Sequence, residues 1–158
     1  MTQDVDILST RAAELAEELR AHLAKTFTIA TRTREVANGQ GFRIYQLRQP
    51  KNRHLADVRQ VSIFGPTRVV SEVRVPTPED LIAQKVKSLC MRSAQPKGDT
   101  DRRDLKVLLL AYPELKSEAG PVLERLRASG VGEHVIAEWN RLVASEIQAA
   151  TDSDEFEG

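Results

Sequence analysis

One cysteine, Cys90, is all the thiol chemistry this chain carries. An internal disulfide is therefore excluded, and a reducing compartment is the expected setting. Net charge is missing too, because Lys plus Arg and Asp plus Glu balance at 23 each. That excludes a uniformly basic nucleic-acid coat but leaves room for a local basic groove. No stretch approaches the roughly 20 apolar residues of a membrane span. The N-terminus, acidic and then amphipathic, does not read as a secretory signal. A soluble, cytoplasmic protein with no membrane partner is expected. Gly-rich phosphate loops and internal repeats are also lacking. What is present, in 158 residues, is 41% hydrophobic and 29% charged. That suffices for one compact domain, or for a small catalytic half with a helical appendage.

Strand signals dominate the first half. "TQDVDILS" (Thr2 to Ser9) alternates Asp4 and Asp6 with Val5 and Ile7. Residues two apart in a strand share a face, so the two carboxylates should emerge side by side. "STRAAELAEELRAHLAK" follows as an amphipathic helix capped by Ser9 or Thr10, with Ala12, Leu15, Leu19 and Leu23 on one face. Three β-like runs come next, "TFTIATRTREV", "GFRIYQLRQ" and "RHLADVRQVSIF", with "ANGQG" (Ala37 to Gly41) as a Gly-containing hairpin connection. "RVVSEVRV" (Arg68 to Val75) reads as a fourth, half-exposed strand.

At Pro76 the character changes to helix. Thr77 is the expected N-cap, with Pro78 at the first helical position and Asp80 three residues after the cap. "SAQPKGD" (Ser93 to Asp99) reads as a polar loop, and "TDRRDLKVLLLAY" as the next helix. Two more helices are expected around Gly120 to Ala128 and Glu133 to Gln148, and an acidic, disordered tail at the end. The fold class is α+β: a small mixed or antiparallel sheet with a flanking helix, then a helical region. The expected divisions are residues 1–75, 76–150 and 151–158.

Adjacent like charges at Asp4 and Asp6 disfavour each other's ionisation, so something must offset them. Asp57, alone among apolar neighbours in "HLADV", is a third carboxylate. Together the three could hold Mg²⁺ or Mn²⁺, since hard cations take carboxylate oxygens and are completed by substrate phosphates. Alternatively Asp57 pairs with Arg43, Arg59 or another strand arginine, Asp4 frays at the terminus, and a nearby Arg or Lys or plain solvation at a sheet edge serves the Asp4–Asp6 pair. In the second half Lys85 lies on the helical stripe Leu81, Lys85, Leu89, Arg92, and Asp101 and Asp104 share one face of the next helix. Lys85 could pair with these aspartates, and the same contact could aim it at a substrate phosphate. His22, His54 and His134 lack metal-ligand spacing and read as surface or core residues. Cys90 reads as a buried thiol, and Trp139 as the anchor of the last helix.

"TQDVDIL", then "HLADV", then "PEDLIAQKVKSLCMR…DTDRRDLKVLLL" resembles the nucleotidyltransferase-like proteins of the DNA polymerase beta superfamily. The likeness points in particular to the branch of AbiEii-type toxins and minimal nucleotidyltransferases, and spans residues 2–112. The resemblance implies transfer of NMP from an NTP to an acceptor hydroxyl on an RNA end, a protein or a small molecule, with release of pyrophosphate. It makes Asp4 and Asp6 the metal-binding pair. Asp57 becomes the third ligand and the group that activates the acceptor. Lys85, Arg92, Asp101 and Asp104 fall at nucleotide-binding or supporting positions.

Members of that family usually carry a further strand and a Gly-Gly or Gly-Ser turn before the aspartates, and this sequence has neither. Two explanations stand: a gene product that begins earlier, or a reduced form whose phosphates are held by Arg and Lys alone. Loss of that strand would leave an unpaired sheet edge for a second copy or a partner chain to cover. The strand arginines Arg32, Arg34, Arg43, Arg48, Arg53 and Arg59 could form a basic surface for RNA or triphosphate, or simply a solvated face. A non-catalytic module of a toxin–antitoxin pair is the alternative function.

Overall fold

The computed structural model describes residues 4–149. The acidic segment 151–158 and the start of the first motif, Thr2 and Gln3, lie outside the described residues. The chain is α+β and divides between Phe64 and Gly65 into two compact units.

The first unit contains β1 (Val5–Ser9), α1 (Ala12–Phe27), β2 (Thr31–Val36), β3 (Gly41–Gln46) and β4 (Arg53–Gln60). Its mixed sheet has the order β1-β4-β3-β2, with β1 parallel to β4 and the other pairs antiparallel. Period-two alternation splits the sheet into two faces. Ile44 and Val58, with Ile7, Phe42 and Ala56, face α1 and pack against Ala12, Ala16, Leu15, Leu19 and Leu23. Asp57, Arg43 and Arg34 occupy the intervening positions and so stand on the face away from α1. The start of α1 is held differently from expectation. Arg11 is the N-cap residue, and the Ala12 N–H donates to Gln60 Oε1 at 2.9 Å. Gln60 is the register partner of Ser9, which brings its amide to the helix end. Ser9 Oγ accepts the Arg11 N–H instead. The helix also runs on through Phe27, into the run read as strand, and ends where Thr28 turns left-handed (φ 56°) and the Ile29 N–H donates to Leu23 O.

The second unit begins with a hairpin, β5 (Thr67–Val70) and β6 (Val73–Pro76), which among the described residues pair only with each other. The single strand expected over Arg68–Val75 is therefore two, turning at Ser71 and Glu72, both with positive φ (47° and 66°). Such a two-residue turn usually advertises itself with Asn-Gly, and Ser-Glu does not. This hairpin moves the division between units earlier than the expected boundary near residue 76. Then come α2 (Pro78–Arg92), α3 (Pro96–Ala111), a 3-10 turn (Pro113–Leu115), α4 (Pro121–Ala128) and α5 (Glu133–Ala144). Part of the expected polar loop is thus the first turn of α3, where Pro96 takes a first-turn position whose missing N–H costs nothing. The last helix stops at Ala144, short of Gln148, with the Ser145 N–H bonded back to Arg141.

Ile82, Val86 and Leu89 of α2, Leu105 and Leu109 of α3, and Trp139 of α5 lie in one buried cluster with residues of α4. Thr77 precedes α2 as its N-cap residue, but its hydroxyl makes no capping bond. Asp80 does not close a capping box either. Its carboxylate accepts from Gln84 Nε2 at 2.6 Å and from the Arg125 guanidinium at 3.3 Å, which ties α2 to α4. No described helix is long and apolar enough to cross a membrane.

Candidate functional site

Asp6 and Asp57 are register partners on the parallel strands β1 and β4, so both point to the face away from α1. Asp57 is the more enclosed, its side chain 15% exposed against 62% for Asp6. Asp4, one residue before β1, reaches the same region through His54. His54 Nδ1 lies 3.2 Å from Asp4 Oδ2, and Nε2 lies 3.2 Å from Asp57 Oδ1. Strict alternation would send His54 to the α1 side together with Ala56. It does not go there, because β4 carries a bulge: Ile44 pairs with Ala56 and Tyr45 with His54, leaving Leu55 without a partner. A bulge inverts alternation beyond it and re-aims the side chains that follow. Tyr45 then stacks on the His54 ring at 5.2 Å between centroids.

Ligand atoms of Asp4, His54 and Asp57 all lie within 4.8 Å of one another, so the three can converge on a divalent ion. Two carboxylates with an imidazole nitrogen accept Mn²⁺ or Zn²⁺ as well as Mg²⁺, because nitrogen donors favour the later metals. The sequence reading gave His54 no such part. It read as a surface or core residue; three positions apart, His54 and Asp57 fall on opposite faces of a regular strand, and the bulge unites them. Asp6 is not in this cluster: it accepts from Arg59 at 3.0 Å. Arg43 donates to Asp57 at 3.1 Å. Tyr45 beside it, and then Asp57, keep the Arg43 guanidinium above its ordinary pKa. Cation pairing is thus the state in which this face stands.

Lys85, Arg92, Asp101 and Asp104 form a separate cluster in the second unit, between α2 and α3. Lys85 Nζ donates to Asp104 Oδ2 at 2.8 Å and to Asp101 Oδ1 at 3.4 Å. The Arg92 guanidinium lies 2.9 Å from Asp101 Oδ2, but without hydrogen-bond alignment. Asp101 is buried, at 4% exposure, and faces both cations. Burial by itself would lower the Lys85 pKa, yet Asp104 and Asp101 outweigh it and hold the ammonium above its usual value. Lys85 is the cation of an interhelical ion pair, as one reading of its stripe anticipated. Cys90 is half-buried, and burial, then Glu138, push its thiol pKa up, which makes it a poor nucleophile at neutral pH.

No family model, curated protein or solved structure matches this chain.

Proposed function

We propose that the chain is a metal-dependent nucleotidyltransferase that joins NMP from an NTP to an acceptor hydroxyl. Support comes from one observation above all: Asp6 and Asp57 stand in register on adjacent strands, and Asp4 meets Asp57 across His54. Divalent ions, Mg²⁺ or Mn²⁺, held by Asp4, Asp57 and either Asp6 or His54, would supply electrostatic stabilisation of the transferring phosphoryl group. Asp57, the least exposed of the three carboxylates, is suited to accept the proton of the acceptor hydroxyl. Arg34 and Arg43 continue the Asp6–Asp57 row across the sheet and offer positive charge to a triphosphate or an RNA end. Lys85 and Arg92 are engaged with Asp101 and Asp104, which gives them a supporting rather than a substrate-binding part. The single cysteine fits a reducing, cytoplasmic setting.

A second reading has its own observation. Asp4, Asp6 and Asp57 are each already matched by a cation or an imidazole, as in a module that keeps the fold without turnover, for instance as a partner in a toxin–antitoxin pair. Incubation with α-labelled NTPs, Mn²⁺ and total RNA or protein separates the two. Label transfer abolished by Asp57→Asn supports the enzyme. Absence of transfer with every NTP, together with no metal binding, supports the module.

A further inference from the structure

Two arginines on the polar face occupy the positions that a metal and its anionic substrate would contest. Arg59 holds Asp6 at 3.0 Å, and Arg43 holds Asp57 at 3.1 Å. Both arginines are substantially exposed, at 59% and 40% of their side chains. The Arg59–Asp6 pair is exposed on both sides and holds weakly, so Asp6 is released at little cost; Asp57 is enclosed, at 15% exposure, and gives up Arg43 only when another cation takes its place. Arg43, Asp57 and Arg59 also line one open hollow of about 430 Å³ beside the start of β3, room enough for a small polyanion. Gln40 and Gly41 also line it, with Val36, Ala37, Phe42 and Val58 as its apolar part.

We infer that Arg43 and Arg59 are exchange cations: they neutralise Asp57 and Asp6 when no divalent ion is present, and bind a polyphosphate once an ion has taken those carboxylates. The inference rests on the metal reading given above. Electroneutrality drives the exchange. An ion drawn to Asp4 and Asp57 leaves the Arg43 guanidinium without its partner, and an ion that takes Asp6 rather than His54 as its further ligand does the same to Arg59. Two forked donors then face one hollow, the arrangement that planar, bidentate phosphate recognition uses. Metal and polyphosphate must therefore bind cooperatively, and the coupling must be equal in both directions. Before the ion arrives, each arginine competes with it. Removing an arginine should accordingly have opposite effects on the two ligands.

The test is calorimetry on the full chain with Mn²⁺ alone, pyrophosphate alone, and pyrophosphate at fixed free Mn²⁺. The Mn²⁺–pyrophosphate equilibrium is measured separately in protein-free buffer. Wild type should bind pyrophosphate at least about tenfold more tightly with Mn²⁺, the change expected for one gained charge-assisted contact. Arg59→Gln and Arg43→Gln should each bind Mn²⁺ alone as tightly as wild type or more so, and each should lose most of that tenfold coupling. Arg20→Gln, an exposed change on α1, should keep it. Thermal melts verify that the variants are folded. Mn²⁺ binding with no enhancement of pyrophosphate, or coupling retained in both arginine variants, overturns the exchange and leaves the metal site standing. Failure of wild type to bind Mn²⁺ overturns both.

Discussion

Asp57 carries more of this account than any other residue, because Arg43, His54 and the proposed ion all converge on its carboxylate. Asp57→Asn keeps the shape and removes the charge, and Mn²⁺ affinity should fall at least about tenfold in a calorimetric titration. Asp6 and His54 offer a sharper choice. If the resemblance governs the site, Asp6→Asn weakens Mn²⁺ as much as Asp57→Asn does, and His54→Ala does little. If the bulge-built cluster governs it, the order is reversed, and Zn²⁺ suffers more than Mg²⁺ on losing the imidazole. The carboxylates were legible because a strand's period of two puts Asp4 and Asp6 on one face from the sequence alone. The cation partners among the arginines were legible as an alternative. His54 was hidden, because nothing local in "RHLADV" announces a bulge at Leu55; that depends on how β3 pairs with β4.

Helix junctions set the second scale. Gly98, in the first turn of α3, passes so close to the end of α2 that a Cβ would run into the Arg92 carbonyl. The obstacle is backbone, which cannot rotate away. Gly98→Ala should therefore destabilise by about 1–3 kcal/mol in urea unfolding, although alanine favours helices. An unchanged midpoint would show that α3 can shift freely. Asp101→Asn should cost about 1.5–3 kcal/mol, since it leaves Lys85 and Arg92 facing a neutral amide. Of the elements themselves, α1, α2 and the β2–β3 hairpin follow directly from apolar spacing and a glycine-bearing turn. The β5–β6 turn did not, because Ser71 and Glu72 adopt positive φ without the residues that normally favour it. Pro96 and Gly98 read as loop markers for the same reason: one permits a helix start, and the other a close approach, that only tertiary packing reveals.

At the scale of the whole molecule, stability should respond to alkali through Lys85. Its pKa is raised above the ordinary 10.5, so its contribution is complete below that pH and fades as pH climbs through the higher folded-state value. Wild type and Lys85→Met should therefore differ in urea midpoint at pH 8 and converge in strong alkali; a constant gap would mean the ammonium is not what matters. Trp139 is fully buried within the helical cluster, and Trp139→Ala should lose about 3–5 kcal/mol by denaturant unfolding. The α+β organisation was legible from the switch of periodicity along the chain. The division at Phe64/Gly65 was not, because it depends on β5 and β6 pairing with each other apart from the four-stranded sheet. Above all these stands the claim that the polar face of the sheet binds a nucleotide through metal. The most direct measurement is calorimetric titration of each NTP into the purified chain with Mg²⁺ or Mn²⁺, in parallel with the double variant Asp4→Ala/Asp6→Ala. The account predicts metal-dependent binding that disappears in the double variant. Absence of both metal and nucleotide binding in the wild-type chain would contradict it.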